Sequence, residues 1–188
     1  MATSIFDWND LNNVRNNLSE DYVLENDLDE NTAGYNDHAS PSANGGDGWI
    51  SIGGTGTPFS GSFDGQLHPI NDIFSSNTPL SLFDDLEGGT IKNLKVEDYT
   101  IDAPNTPQAN ILARDIDSAI VKNVVVKGDI DAQDDGTALF VNSIKNEAMG
   151  QTIIENILCV GSITASNPVG GNVAGLTTNL EGGPPSAT

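Results

Sequence analysis

Three stretches of this chain can be written one under another. They are Thr90-Ile91-Lys92-Asn93-Leu94-Lys95-Val96, Ile120-Val121-Lys122-Asn123-Val124-Val125-Val126 and Ile153-Ile154-Glu155-Asn156-Ile157-Leu158-Cys159. Each reads apolar or Thr, apolar, charged, Asn, aliphatic, unrestricted, small apolar, and the Asn positions are 30 and 33 residues apart. A second apolar residue follows in each copy, Ile101, Ile130 and Ile163, with one extra residue before it in the first. Another motif precedes each copy: Leu80-Ser81-Leu82-Phe83, Ile111-Leu112-Ala113-Arg114 and Ala138-Leu139-Phe140-Val141. A fourth, Val173-Ala174-Gly175-Leu176, leads to Glu181-Gly182-Gly183, much as Leu86 leads to Glu87-Gly88-Gly89. Self-similarity at a period of about 30 residues is the signature of a repeat architecture, in which each unit buries its apolar face only against the next.

Alternation over short runs rich in Val and Ile predicts strands, so each unit is strand, turn, strand. Gly88-Gly89 and Gly128-Asp129 are expected to form the turns between strands. Stacking such units predicts an all-β chain, a parallel β-helix (β-solenoid). Asn93, Asn123 and Asn156 then fall at one corner of successive coils. There they are expected to point inward and form a structural ladder, bonding their own turn and the neighbouring coil.

The N-terminal region differs. Asp7 and Asp10, with Trp8, Leu11, Val14 and Leu18 at spacings of three and four, predict a capped amphipathic helix of three turns that closes the end of the solenoid. Residues 1–21 form this capping helix, 22–180 the coils and 181–188 a tail, in one domain. Tyr22-Val23-Leu24-Glu25-Asn26-Asp27-Leu28 is expected to be the first rung. A long Asn-, Ser- and Gly-rich loop follows from Asp29 to Gly48, before Trp49-Ile50-Ser51-Ile52 and Phe59-Ser60-Gly61-Ser62-Phe63-Asp64-Gly65 enter the regular coils. Pro184-Pro185 cannot continue a strand ladder. Since the fourth coil starts at Val173 without finishing, its edge is expected to be covered by the tail or by another subunit, which predicts a homo-oligomer or a larger assembly.

The string Trp8, Leu11, Arg15, Leu18, Tyr22-Val-Leu, Asn26-Asp-Leu-Asp, Thr32-Ala-Gly-Tyr35, Gly48-Trp49, Ile52-Gly53 and Phe59-x-Gly-x-Phe-Asp-Gly65 resembles the opening of the GLUG-motif repeat proteins. The later repeats are similar to that family's Leu-Phe-Gly and Ile-x-Asn-Leu-x-Val coils. Leu82-Phe83-Asp84 stands where the family has Leu-Phe-Gly, and Ala174-Gly175-Leu176 is the nearest approach to the family's glycine-rich closing signature. The resemblance implies a β-solenoid of large surface-exposed, adhesin-like proteins, many from microbes of saline habitats. It implies no catalytic residues. Such proteins usually begin with an export signal, and the opening Met1 to Asp10 lacks the basic and apolar segments of one. Either a leader has been removed, or the protein is assembled without secretion, as virion components are.

Charge narrows the function classes. With 27 Asp and Glu against 7 Lys and Arg, the net charge is −20. Nucleic acid and anionic membrane surfaces are excluded as direct partners, because binding phosphate needs clustered cations. No run approaches the roughly 18 apolar residues of a membrane span. The acidic excess suits a protein working in concentrated salt, where screening removes self-repulsion. A highly charged chain with 6% aromatic residues can stay unfolded, but dense runs such as Val124-Val125-Val126 argue for buried strands.

Paired carboxylates are the enzymatic signal to weigh, since glycan-cleaving enzymes work with two acids flanking one bond. Asp134-Asp135 after Gln133 resembles the paired-Asp element of pectin-hydrolysing β-helices, but the Gly-His-Gly and Arg-x-Lys parts of that signature are missing. A lyase would need a base, and nothing in sequence clusters with Arg114 or Lys145. For calcium or magnesium as a structural divalent cation, the oxygen-rich candidates are Asp27-x-Asp29-x-Asn31 and Asp129-x-Asp131, both incomplete as loops. No other cofactor is implied. His38 and His68 read as loop hydrogen-bond donors, Cys159 as a buried small hydrophobe, and Trp8 and Trp49 as packed side chains in preference to a sugar platform.

The expectation is therefore a non-enzymatic structural and attachment component on a virion surface, such as a tail fibre, spike or capsid decoration, that presents loops to a host glycan or protein. The alternatives are an extracellular cell-surface adhesin fragment and a β-helix carbohydrate-active enzyme.

Overall fold

The computed structural model describes residues 1–77, 79–133, 136–145, 151–165 and 173–180. In chain order its elements are β1 (Thr3–Ile5), α1 (Trp8–Asn13), β2 (Asp21–Leu24), α2 (Tyr35–His38), β3 (Ser62–Asp64), β4 (Pro69–Asn71) and β5 (Phe74–Ser75). There follow β6 (Phe83–Glu87), β7 (Thr90–Ala103), β8 (Ala113–Asp117), β9 (Ile120–Ala132), β10 (Thr137–Ala138), β11 (Val141–Lys145), β12 (Ile153–Ala165), β13 (Val173–Ala174) and β14 (Thr177–Leu180). All the paired strands run parallel. One sheet stacks β1-β2-β3-β7-β9-β12, with β4 and β5 laid along the later part of β7; a second stacks β6-β8-β11-β14; and β10 pairs with β13. The chain is a parallel β-solenoid.

Parallel stacking puts equivalent side chains above one another, so the core is built in columns. Tyr22, Phe63, Ile91, Val121 and Ile154 form one column; Leu94, Val124 and Ile157, then Val96, Val126 and Cys159, then Ile101, Ile130 and Ile163 form others. All are buried except the β12 members, which are half-buried. The extra residue of the first copy is a β-bulge between Val96 and Tyr99, where Asp98 takes a left-handed φ of 53°. Beyond it Tyr99 pairs with Gly128, and a Cβ on Gly128 would collide with the Tyr99 carbonyl. Gly128-Asp129 therefore lies inside β9 and is not the expected turn, whereas Gly88 does turn the chain between β6 and β7 with a φ of 71°.

The N-terminal cap is shorter than expected. Asp7 accepts hydrogen bonds from the Asn9 and Asp10 amides, but α1 has only 6 residues and tightens into a 3-10 turn over Val14–Asn16. The segment is not wholly helical either, because β1 precedes α1 and pairs with β2, which makes β1 the first rung and β2 the second. Trp8 and Trp49 are both buried, as expected: their indole N–H groups donate to the Asp29 and Leu82 carbonyls. The Arg15 guanidinium lies 4.3 Å from the Trp49 ring centroid. Burial pulls Arg15 down to about 10, still far above neutrality. Within the expected long loop, α2 is folded, and Asn44 and Gly45 turn the chain with left-handed φ of 53° and 79°.

The asparagine ladder is present, with a different orientation. Asn93, Asn123 and Asn156 have φ of 51°, 55° and 57°, the left-handed region that Asn tolerates better than other residues carrying a side chain. Asn123 Nδ2 donates to Asn93 Oδ1 at 3.0 Å, and Asn156 Nδ2 donates to Asn123 Oδ1 at 2.9 Å. Asn93 in turn donates to Asp64 Oδ1 at 3.1 Å. Asn123 and Asn156 are exposed, so the side chains run along the outside of the corner; the left-handed turn directs them outward while Leu94, Val124 and Ile157 continue the core.

Two predictions follow from the ladder. Asn123→Ala should lower stability by about 1–2 kcal/mol in urea denaturation, through two lost hydrogen bonds and a left-handed alanine, and Asn123→Gly should cost less because it removes the strain. Burial pushes the Asp64 carboxyl up, but hydrogen bonds from Asn93 and the Gln66 amide, with the Lys92 charge, outweigh it and hold it below the ordinary value. Its stabilising contribution is present above the unfolded pKa and is lost as pH falls through the folded one. The acid limb of the stability curve should accordingly be shallower for Asp64→Asn than for the wild type.

Candidate functional site

The second repeated motif stacks in a register that moves one residue. Phe83 pairs with Ala113, Val141 and Thr177 in successive coils, not with Arg114 and Leu176 as the sequence alignment expects. A one-residue slip exchanges inward for outward positions. Ala113 takes the core position, and Arg114 comes level with Asp84.

Around Arg114 the carboxylates converge. Nε donates to Asp84 Oδ1 at 2.5 Å, Nη2 to Asp85 Oδ1 at 2.6 Å and Nη1 to Asp115 Oδ2 at 3.1 Å. Nη2 also donates to the Thr55 hydroxyl at 2.8 Å, which ties the segment before Phe59 to the coils. Lys145 Nζ lies 3.5 Å from Asp115 Oδ2. Asp84 is only 8% exposed, so these charges are held largely away from water. The sequence expectation that Arg114 and Lys145 have no clustered neighbours is overturned, because stacking coils unites residues about 30 positions apart. Asp84, Asp85, Asp115 and Thr55 were missed. The signal for two of them was present: Arg114 minus 30 is Asp84 and Asp115 minus 30 is Asp85, the interval that separates Asn93 from Asn123.

The electrostatics follow from one guanidinium serving three anions, with Lys145 beside Asp115. Burial lowers Arg114, but the Asp84 hydrogen bond and the charges of Asp84, Asp85 and Asp115 together raise it above its ordinary value. Asp85 is also raised: burial acts first, Arg114 opposes it, and Asp84 and Asp115 repel. The two directions are compatible, since the guanidinium gains from every carboxylate while each carboxylate shares one guanidinium and faces two like charges. Beside the cluster lies a shallow groove of about 300 Å³, lined by Thr55, Pro79, Leu80, Pro107 and Gln108 with Asp84 and Arg114. Arg114 stands between the carboxylates and at the edge of this groove.

The other candidate residues are dispersed. Asp134 and Asp135 lie outside the described residues. Asp29 Oδ1 accepts from the Asn31 amide at 2.9 Å and the Thr32 hydroxyl at 3.0 Å, which hold its carboxyl below the ordinary value. Asp27 Oδ1 instead lies 2.6 Å from His68 Nδ1 on another coil. Asp27, Asp29 and Asn31 thus form a turn and a cross-coil contact. Asp129 Oδ1 accepts from the Ser162 amide and hydroxyl, and one oxygen of Asp131 is buried without a partner. Among the described residues no group of three His, Cys, Asp or Glu side chains is arranged to hold a metal ion. His38 Nε2 lies 3.2 Å from Asn9 Oδ1. Cys159 is half-buried, not buried, because β12 is the last strand of its sheet among the described residues; burial pushes its thiol up to about 11.

Removing the guanidinium should leave Asp84 and Asp85 without their ion-pair partner and Asp115 with Lys145 alone. Arg114→Ala is expected to cost about 3 kcal/mol in the urea unfolding free energy, and Arg114→Lys to recover only part, since an ammonium cannot reproduce the planar fork that meets three acids.

No family model, no curated protein and no solved structure matches the chain.

Proposed function

We propose that the chain is a non-enzymatic structural and attachment component, a virion part such as a tail fibre, spike or capsid decoration in a salt-adapted system. One observation carries this reading. The acids that cluster on the described surface, Asp84, Asp85 and Asp115, are bound to an arginine and serve to hold coils together. A carboxylate so engaged is not free to donate a proton to, or attack, a substrate bond. Much of the rest of the described outer surface is a regular array set by stacking, and the less regular segment 29–47 presents exposed side chains such as Glu30, Asn31, Asn36 and Asp37 beside it. That combination of a stiff rod and presented loops suits attachment to a host glycan or protein, with calcium or magnesium as a candidate structural ion.

A cell-surface adhesin fragment is the second reading, favoured by the likeness of Trp8 to Gly65 to the opening of GLUG-motif repeats. Both readings share one test. Labelled protein in high salt is expected to bind an array of immobilised glycans or intact host cells, and to release no reducing ends from the polysaccharides offered. Cleavage that disappears in Asp134→Asn or Asp135→Asn would establish the carbohydrate-active alternative instead.

A further inference from the structure

The first and last described strands of the long sheet differ. At the N-terminal end β1 has three residues, and α1 buries Trp8 and Leu11 against the first coils. At the other end, β12 is 13 residues long and terminates its sheet among the described residues. Its inward side chains Ile157, Cys159 and Ile163 are only half-buried, although their counterparts in β9, Val124, Val126 and Ile130, are fully so.

The composition of β12 also departs from its neighbours. β7 carries five charged residues (Lys92, Lys95, Glu97, Asp98, Asp102) and β9 four (Lys122, Lys127, Asp129, Asp131), whereas β12 carries one, Glu155. That one is paired with Lys122 at 3.2 Å. In the outward columns Lys95 and Val125 give way to Leu158, 55% exposed, and Lys127 gives way to Val160, 45% exposed. Exposed edges in stable proteins are short, or carry lysine or proline; β12 has none of these protections. The strand with most need of charge in water has least of it.

We propose that the edge of β12 is covered by the same edge of a second copy of this chain, antiparallel about a two-fold axis. Charge selects the occupant. Two chains of net charge −20 repel over most of their surfaces, and β12 offers a long surface on which self-contact brings together only one charge per copy, already neutralised by Lys122. The ends select the symmetry: a head-to-tail stack would have to seat 13 residues on the three of β1, beside α1, while a two-fold matches equal lengths and closes. From Ile157 to Ala165, beyond the Asn156 corner, the strand can pair with its own copy about Gly161. This sets Leu158 opposite Thr164, Val160 opposite Ser162 and Cys159 opposite Ile163.

The inference deepens the assembly part of the proposed function and rests on it, but mass and attachment are measured separately. Light scattering on the full chain in high salt is expected to give twice the 19.7 kDa chain mass. The doubly substituted Leu158→Lys, Val160→Lys chain should give half of that, with an unchanged circular dichroism spectrum. Wild-type protein that stays monomeric at all concentrations, mass that grows without limit, or a variant that remains dimeric would each overturn the proposal. If the variant loses its strand signal, hydrogen exchange of the wild type decides: β12 amides should gain protection as concentration rises, and protection independent of concentration overturns the dimer. A doubled mass with no glycan or cell binding would sink the attachment reading alone.

Discussion

The backbone ladder of parallel, in-register strands is the constraint on which everything else in this protein depends. Because each strand hydrogen-bonds to its counterparts about 4.8 Å above and below, equivalent side chains are forced to stack. Apolar columns gain from this and become the core. Polar and charged columns face their own kind at close range, so each needs a device to relieve the repulsion.

Several such devices are visible. Asp64, Lys92, Lys122 and Glu155 form one column with charges in the order minus, plus, plus, minus; Lys92 pairs upward with Asp64 and Lys122 downward with Glu155, both at 3.2 Å. Asp85 stacks on Asp115, and Arg114 joins both to Asp84. The asparagines avoid the problem, because an amide is donor and acceptor at once and a column of amides satisfies itself. Among the described residues no cation pairs with Asp102 or with the Asp131 stacked on it, and one Asp131 oxygen is buried unpartnered. Screening by concentrated salt weakens repulsion of this kind where it is exposed.

Ends are the second consequence of stacking, since a column has nothing beyond its last member. At the start of the chain the columns are closed by Trp8 and Leu11, with Arg15 laid over Trp49 in a site that still allows its charge. Among the described residues the same columns stop half-covered at β12, which accounts together for the partial exposure of Cys159, the apolar surface of Leu158 and Val160, and the expected second copy.

Much of this was legible in the sequence because it is local and repeated. The coils, their period, the extra residue that becomes the bulge at Asp98, and the corner position of Asn93, Asn123 and Asn156 all follow from residue type and spacing. A left-handed corner favours an asparagine or glycine whatever packs around it. The direction of the asparagine side chains did not follow, since it depends on how sharply the backbone turns. Nor did the boundaries of the cap: Asp7 announces the helix, but only pairing with β2 makes a strand of Thr3–Ile5. The Arg114 cluster was hidden by a register choice. Ile111-Leu112-Ala113 offers three consecutive apolar residues, and the local pattern does not say which of them lies beneath Phe83. Stacking decided for Ala113, since that alignment buries the apolar chains and at the same time sets a guanidinium among three carboxylates. The sequence by itself determined a period, a strand type and a corner, because these are properties of short segments. Only the tertiary structure decided register, neighbours and ends, because those depend on which coil lies above which.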